Sequence, residues 1–409
     1  MFLSGPGSQI DSPQRGTGYI SNHGVYSMKT IIALAKPRTR RLLWRLQLAC
    51  LCLLSGLAMA GADLPPWQPR FNRSQPVIAV VAENGYTELT DYVVPYGVLR
   101  ESGVAQVWAL ATQAGPVRLF PALRVSPQAS TAEFDGRFPQ GADYVIVPAV
   151  HEVKNAALIS WVQSQARKGA TIVGVCDGVW VLAHAGLLRG KQAVGHWYAL
   201  DDLQQQFADT RWRRDRRYLA DGKVITTTGV TASIPVSLAL VEAIAGTAAA
   251  QQTATRLGAS DWSTQHRSDD FQLNRRHMLT AAGNWLAFWS HQDIGIQVAD
   301  GVDEIALALA ADAWSRTYRS SAFVLPRAGQ NVQSRRGLLL LGDTATVERT
   351  LQLNPALLPT ATLDDSLRQI TAWYGPATAA FVALQMEYPW PPPLTPAIRH
   401  TEAATPGKP

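Results

Sequence analysis

The sequence predicts an α/β protein built on a doubly wound parallel sheet. Short runs of apolar, mostly β-branched residues alternate with segments of helical spacing, which is typical of buried parallel strands and their covering helices. One such strand runs directly into Cys176, which precedes Asp-Gly and a new helical segment. A later stretch repeats the opening strand–loop–helix–strand pattern, so we expect a degenerate second α/β unit.

The chain is long enough for two or three domains. It has 409 residues, of which 47% are hydrophobic and 17% charged, so it can bury a sizeable core. The predicted organisation is a signal peptide or membrane anchor over residues 1–62, a Pro-rich linker over 63–76, the α/β domain over 77–250, a connector over 251–280, the second α/β unit over 281–390 and a Pro-rich tail over 391–409.

The net charge of +6 lies in the N-terminal segment. Residues 1–62 hold seven basic side chains and one acidic one, and the remaining residues carry equal numbers of each. The basic character therefore does not indicate a nucleic-acid partner.

The same segment has the layout of a secretory signal peptide. Basic residues at 38–45 precede an apolar run at 46–60 that ends in small residues. The run is shorter than the roughly 20 residues of a membrane-spanning helix, so a cleaved signal is favoured over an uncleaved anchor. We expect an exported protein, either periplasmic or anchored in the membrane and facing the periplasm. Met28 is an alternative start that gives a leader of ordinary length.

The elements of the first domain follow from local patterns. Strands are predicted at residues 77–81, 107–111, 144–148, 171–175 and 223–228. Helices are predicted at residues 90–102, 156–168, 179–188 and 234–245. Gly103 and Gly169 follow two of these helices and are expected to cap them.

An internal repeat appears at an offset of 216 residues. The aligned pairs are Gly85 with Gly301, Glu88 with Glu304, and Arg100 with Arg316. No cysteine-bearing turn follows in the second unit, and Leu307 stands opposite Asp91. We therefore expect a degenerate copy that lacks catalytic residues and pairs with the first unit as an internal pseudo-dimer. A homodimer of the chain is the alternative.

Cys176 is the candidate functional residue. The other two cysteines, Cys50 and Cys52, lie in the apolar run of the leader, so a mature chain would leave Cys176 without a disulfide partner. It falls at the carboxyl end of a parallel strand, where open α/β sheets bind ligands, and Gly174 and Gly178 allow a sharp nucleophile elbow. A helix N-terminus lowers a thiol pKa and offers N–H groups to an oxyanion. The alternative is a small core cysteine at a strand end.

Three stretches carry a resemblance to a known family. Val-Gly-Val-Cys176-Asp-Gly-Val, Leu-Ala-His-Ala-Gly-Leu-Leu188 and Gly195-His-Trp197 resemble the DJ-1/PfpI superfamily, which has a class I glutamine amidotransferase-like, flavodoxin-like fold. The His-Trp element is most similar to the branch containing isocyanide hydratases and the sensor-like domains of AraC-type regulators. The resemblance covers about residues 76–246.

The resemblance implies roles for particular residues. Cys176 would be the nucleophile, and Asp91 would be the acidic residue that the family places ahead of its first helix. His196 would be a polar partner in the site wall, or alternatively a histidine that orders a surface loop. Backbone N–H groups near Asp177 and Gly178 would stabilise developing negative charge. Asp177 stands where the protease-like branch has histidine, and an anion there should raise the thiol pKa, which weakens a protease function.

The sequence thus predicts cysteine-dependent hydratase- or hydrolase-type chemistry on a small molecule. The alternative is a non-catalytic ligand-binding or redox-sensing domain with a regulatory role. No P-loop, dinucleotide fingerprint or paired-histidine metal motif occurs in the sequence, so neither a cofactor nor a metal is predicted. No helix-turn-helix pattern follows the first domain, so we expect no nucleic-acid partner.

Overall fold

The fold is taken from a computed structural model that describes residues 64–328 and 330–390. The predictions for the leader, for Met28 as the start and for the tail at 391–409 fall outside the described residues. Within the described ranges, no helix is both long enough and apolar enough to cross a membrane.

The first domain contains the strands and helices that the local patterns predict, together with several short elements. Its strands are β1 (Val77–Ala82), β2 (Thr87–Glu88), β3 (Gln106–Ala111), β4 (Val117–Phe120), β5 (Arg124–Ser126), β6 (Ala129–Ser130), β7 (Tyr144–Val147), β8 (Thr171–Gly174), β9 (Gln192–Ala193), β10 (Arg211–Trp212), β11 (Tyr218–Asp221) and β12 (Val224–Thr227). Its helices are α1 (Leu89–Ser102), α2 (Thr131–Arg137), α3 (Ala156–Arg167), α4 (Gly178–His184), α5 (Leu200–Gln206), α6 (Ser233–Ala245) and α7 (Thr247–Leu257).

These strands form a seven-stranded sheet in the order β11-β12-β8-β7-β1-β3-β6. Every neighbouring pair is parallel except the edge pair β11–β12. Strand β1 is fully buried, and its side chains alternate between two cores on opposite faces of the sheet. This is the predicted doubly wound α/β class, with β8 and its elbow near the middle of the sheet.

The second unit repeats the beginning of the first. Its elements are α8 (Arg275–Leu286), β13 (Gln292–Val298), α9 (Glu304–Ser315), β14 (Ser320–Pro326), β15 (Asn331–Gln333), β16 (Leu339–Leu341), β17 (Arg349–Gln352), α10 (Ala361–Tyr374) and α11 (Pro376–Gln385). At the repeat offset, β13, α9 and β14 correspond to β1, α1 and β3. Strands β13, β14 and β17 form a parallel three-stranded sheet in the order β14-β13-β17.

The two units share a core and a sheet. Helix α9 packs on its repeat counterpart α1, and Gly97 lies so close that an added Cβ would be 2.6 Å from Ile305 Cγ1. The β4–β5 hairpin of the first unit pairs with the β15–β16 hairpin of the second through antiparallel β5 and β16. The core beneath α1 and α6 continues into α9 and α10.

Three segments differ from the local expectations. The connector predicted at residues 251–280 contains most of α7 and the start of α8, because Ala-rich residues around 248–254 favour helix. The helix after Cys176 ends at His184, short of the predicted residue 188. The sequence pattern also predicts one helix over residues 364–387, but this segment divides between α10 and α11, because Gly375 has a φ of 86° and Pro376 begins a new helix.

Candidate functional site

Cys176 occupies a sharp turn between β8 and α4. Its φ is 53°, a left-handed conformation that few residues other than glycine adopt. Its N–H donates to Thr227 Oγ1 at 3.1 Å, which ties the turn to the neighbouring strand β12. At Gly178, a Cβ would lie 2.1 Å from the carbonyl oxygen of Val147. The close approach of α4 to β7 therefore requires glycine there, and the predicted elbow forms.

The predicted oxyanion donors differ from each other. The Gly178 N–H donates to the carbonyl oxygen of Val175 at 2.8 Å, within the turn itself. The Asp177 N–H lies against the thiol and favours its charged form. Of the two amides, that of Asp177 is therefore the one positioned to stabilise negative charge at the sulfur.

The thiol of Cys176 is buried, with 5% of the residue exposed. Burial raises its pKa well above the ordinary value, and the negative charges of Asp91, Asp177 and Glu88 raise it further. The sequence predicts a lowered thiol pKa, because Cys176 precedes a helix N-terminus. In the structure the pKa is raised instead, so that prediction is wrong. Burial and the neighbouring carboxyl groups therefore favour the protonated thiol over the thiolate.

Asp91 lies on the first turn of α1 and is completely buried. Its Oδ2 accepts from the Ala149 N–H at 3.2 Å, and the Ser233 hydroxyl lies 3.5 Å from its Oδ1. Burial raises the pKa of this carboxyl well above its usual range, although the Ala149 hydrogen bond works in the opposite direction. The structure thus brings an acid that favours its protonated form close to a neutral thiol.

A second carboxyl, Glu88, connects this acid to the second unit. It caps α1 by accepting from the Asp91 N–H at 2.5 Å, and its Oε1 lies 2.7 Å from Nη2 of Arg316. Arg316 also pairs with Asp312 at 2.6 Å. Because one guanidinium serves several buried acids, burial and the charges of Asp91 and Asp312 still raise the pKa of Glu88.

His196 forms another side of the site, next to Asp177. The ring nitrogen Nε2 of His196 and the Oδ1 of Asp177 are both buried, and neither has a hydrogen-bond partner among the described residues. Burial raises the pKa of Asp177, and His196 opposes that shift. The predicted wall histidine is therefore placed beside the thiol, and its role stays a prediction.

The segment after α11 packs against the His196 side of the site. Glu387 is 4% exposed and has a φ of 51°. Its Oε2 accepts from the Gly229 N–H at 2.5 Å and lies 4.0 Å from His196 Nε2, and its Oε1 lies 2.7 Å from Nε2 of His266. Trp197 fixes the neighbouring backbone by donating from Nε1 to the carbonyl oxygen of Leu384 at 3.0 Å.

Sequence analysis did not find Glu387, His266 or Arg316 as site residues. Glu387 and His266 lie in segments without a motif and far from Cys176 along the chain. Arg316 was noted only as the repeat counterpart of Arg100. Its position at the end of a helix homologous to α1 was the one signal that could have placed it near Glu88.

Two clefts approach the site from the surface. One, of about 330 Å³, is lined by residues that include Gly195, Trp197 and Thr228. The other, of about 850 Å³, includes Thr231 and His266. Thr228, Phe271 and Glu387 line both clefts, whereas Cys176 lines neither of them.

Comparison with known proteins identifies the family. The model of the DJ-1/PfpI family matches residues 77–243. Isonitrile hydratase from Pseudomonas putida is 30% identical over 165 residues, which are 39% of this chain and 69% of the hydratase. The chain belongs to the DJ-1/PfpI family.

Other relatives of this DJ-1/PfpI protein are regulators. The HTH-type transcriptional regulator CdhR from Pseudomonas aeruginosa is 39% identical over 85 residues, which are 21% of this chain and 25% of the regulator. The match therefore spans about a quarter of that protein. The structure of DJ-1beta from Drosophila melanogaster is similar with a TM-score of 0.41 and 21% identity, covering 46% of this chain and all of that one.

Within this DJ-1/PfpI domain, the geometry suits addition chemistry better than attack by a preformed thiolate. A neutral thiol, a carboxyl that favours its protonated form and one amide aimed at the sulfur meet at the carboxyl end of the sheet. Such an arrangement can add S–H across an unsaturated carbon while a proton moves between the two groups.

Proposed function

We propose that this protein is an enzyme that adds the Cys176 thiol to a small electrophilic carbon, with Asp91 transferring the proton, and that water then releases the product. The observation that carries the proposal is the completely buried Asp91 carboxyl near the elbow thiol, where burial raises its pKa above the usual range and so favours the protonated acid. A general acid works best when it is still protonated at the operating pH.

An isonitrile is the substrate class that we favour, because the match to isonitrile hydratase spans 69% of that enzyme's length. In the first step, the sulfur of Cys176 forms a bond to the terminal carbon. Asp91 donates its proton to that carbon and receives the thiol proton on its other oxygen, which leaves a thioimidate on the enzyme. Addition of water to the thioimidate carbon and cleavage of the C–S bond release a formamide and regenerate the thiol.

The surrounding groups support this sequence of steps. The Asp177 N–H stabilises negative charge that develops at the sulfur during attack and departure. Thr227 and Gly178 hold the turn so that the thiol keeps its place.

The test is a turnover assay of the purified full chain with a panel of small isonitriles, following formamide by chromatography. We expect turnover that Cys176→Ser abolishes and Asp91→Asn lowers by about 10²–10⁴-fold, the usual contribution of an acid–base group. Asp202→Asn, at an exposed position on α5, is the matched control. Mass spectrometry should find the thioimidate on Cys176. Turnover that survives in Cys176→Ser would contradict the proposal.

A regulatory role is the second candidate, and the burial of Cys176 favours it. A thiol with 5% exposure and a raised pKa is expected to oxidise slowly or to serve only in packing. In addition, the similar protein CdhR is a transcriptional regulator. In that case the isonitrile panel gives no turnover, and a small molecule instead shifts the melting temperature of both the wild type and Cys176→Ser. Retained binding by Cys176→Ser separates the binding role from the catalytic one.

We also propose export of the chain, since residues 1–62 combine a basic segment with an apolar run and small residues. Fusion of this segment to an enzyme that is active only outside the cytoplasm tests it directly. Activity of the fusion is expected, and replacement of Arg40 and Arg41 by Glu should reduce it. A fusion that stays inactive overturns the proposal.

A further inference from the structure

A group of three potential metal ligands meets at the elbow. One ligand atom each from Cys176, Asp177 and His196 can be chosen so that all three lie within 4.8 Å of one another. They supply a thiol sulfur, a carboxylate oxygen and an imidazole nitrogen. Each of these three donor types is a ligand that zinc takes in tetrahedral protein sites.

Two of the three donors lack a partner in the fold. His196 Nε2 and Asp177 Oδ1 are buried, and within the part of the chain that the structure describes neither makes a hydrogen bond. Buried polar atoms in folded proteins are almost always paired with protein, water or an ion. Both residues belong to the group around the thiol, so one shared ligand would satisfy both atoms.

A fourth donor stands at the edge of the group. Glu387 Oε2 lies 4.0 Å from His196 Nε2. The carboxylate is held in place by the Gly229 N–H at 2.5 Å and by His266, whose Nε2 lies 2.7 Å from its other oxygen. Hydrogen bonds of this kind orient the ligands of metal sites and tune their affinity.

Carboxyl groups border the site on two sides. Asp177 brings a carboxylate oxygen within 4.8 Å of the Cys176 sulfur and a His196 ring nitrogen, and Glu387 Oε2 lies 4.0 Å from His196 Nε2. A positive ion between these groups would gain their Coulomb attraction.

We propose that Cys176, Asp177, His196 and Glu387 bind a divalent metal ion of the zinc class. Zinc–ligand bonds of about 2.0–2.3 Å place tetrahedral ligands roughly 3.3–3.8 Å apart. The three donors lie within 4.8 Å of one another, so binding requires the widest pair to close by about 1 Å. The metal–sulfur bond replaces the S–H bond, and one proton is released to solvent for each ion bound.

This site goes beyond the proposed catalytic function and does not rest on it. A metal bonded to Cys176 occupies the electron pair that the proposed addition reaction needs. The metal-bound form is therefore expected to be inactive towards an electrophile, so the ion would control access to the thiol. Binding is measured without a substrate, so failure of either proposal leaves the other intact.

The experiment is equilibrium dialysis of the full chain with Zn²⁺, followed by titration with Co²⁺ as a spectroscopic probe. We expect one equivalent of Zn²⁺ at the site, and a thiolate-to-cobalt charge-transfer band in the near ultraviolet. Cys176→Ser should abolish the band, and His196→Gln should weaken binding at least tenfold. The double variant Cys50→Ser/Cys52→Ser and the variant His184→Gln are the controls and should retain both signals.

A protection assay covers the case in which a variant fails to fold. Alkylation of Cys176 in the wild type is followed by peptide mass spectrometry with and without Zn²⁺. Slower alkylation in Zn²⁺, reversed by a chelator, is expected. Unchanged alkylation at a Zn²⁺ concentration that saturates the dialysis signal overturns the proposal, as does a cobalt band that persists in Cys176→Ser.

Discussion

Cys176 is held in an uncommon backbone conformation by the residues around it. A φ of 53° places it in the left-handed region, and Thr227 fixes its N–H from the next strand. Such conformations persist where the surrounding structure over-determines them, and they cluster at functional sites. Here the conformation sets the thiol among the carboxyl groups of Asp91, Asp177 and Glu88, and this environment decides its acidity.

The first prediction concerns the reactivity of this thiol. Because burial and neighbouring carboxylates raise its pKa, alkylation by iodoacetamide should reach half its maximal rate above the free-cysteine value of about pH 8.5. Asp177→Asn removes one negative charge, so its profile should shift to lower pH, whereas Asp202→Asn should leave it unchanged. The measurement is the alkylation rate of the Cys176 peptide from pH 6 to 10. A half-maximum near pH 6 would contradict the structure.

The second prediction concerns Asp91 and the free energy of unfolding. Its pKa is raised in the folded state, so its stabilising contribution is complete below its unfolded value of about 3.9 and is lost as pH rises through the folded value. Asp91→Asn carries no titrating proton and should therefore be more stable than the wild type at pH 8. At pH 4 this advantage should shrink.

Urea denaturation at pH 4, 6 and 8 measures this difference, with Asp202→Asn as the exposed control. A difference between Asp91→Asn and wild type that is constant over this range would show that the Asp91 pKa is not raised.

At the scale of single elements, the elbow between β8 and α4 depends on close packing. Helix α4 has only seven residues, and its N-cap residue Asp177 makes no side-chain capping bond in the described structure. The turn is held instead by the Thr227 hydroxyl and by contact of Gly178 with β7. Tertiary contacts, more than local helix propensity, therefore fix where α4 begins.

The third prediction follows from that contact. In Gly178→Ala the added methyl group would meet the carbonyl oxygen of Val147 at 2.1 Å, so backbone must shift. We expect a loss of about 1–3 kcal/mol in the free energy of unfolding, as for other overpacked sites, and slower Cys176 chemistry. Gly136→Ala is the matched control in helix α2, because an added Cβ there meets nothing within 4 Å.

Gly136→Ala should be neutral or stabilising by up to about 1 kcal/mol, since alanine favours helix over glycine. Urea denaturation of the two variants measures both effects. Equal stability of the two would mean that the elbow is looser than the structure indicates.

At the scale of the whole molecule, the second unit contributes to the site although it lacks a cysteine and an acid equivalent to Asp91. Its helix α9 lies against α1 and ends next to Arg316, which reaches Glu88 across the interface between the units. Thr90 adds a hydrogen bond to Asp312 at 2.7 Å. The degenerate copy therefore supplies the guanidinium of Arg316, which offsets the charge of the buried Glu88 carboxyl in the first unit. Pairing of the two units as an internal pseudo-dimer stays a prediction.

The fourth prediction tests this cation. Arg316→Met leaves the carboxyl groups of Glu88 and Asp312 buried without their counter-ion, so we expect a loss of about 3–5 kcal/mol in the free energy of unfolding at pH 7. The loss should be smaller at pH 4, where the carboxyls take up protons. Arg335→Met, at an exposed position of the same unit, is the matched control and should change the stability little.

Denaturation of both variants at pH 4 and pH 7 measures the effect. A loss for Arg316→Met that does not depend on pH would indicate lost packing instead of unpaired charge.

Local patterns in the sequence determined the fold class, the elbow at Cys176, the helix that carries Asp91 and the repeat that gives α9. These features depend on residues close together in the chain, where periodicity and glycine positions act directly. The tertiary structure decided the direction of the thiol pKa, because burial and the convergence of carboxyl groups from α1 and α4 outweigh the helix N-terminus.

The structure alone also decided which distant residues complete the site. Glu387 reaches His196, and His266 reaches Glu387, from segments that no periodic pattern predicts. Arg316 reaches Glu88 only because α9 packs on α1. Their positions depend on how the second unit docks on the first. Docking is set by side-chain shape and burial over many contacts of long sequence separation, which local sequence patterns do not encode.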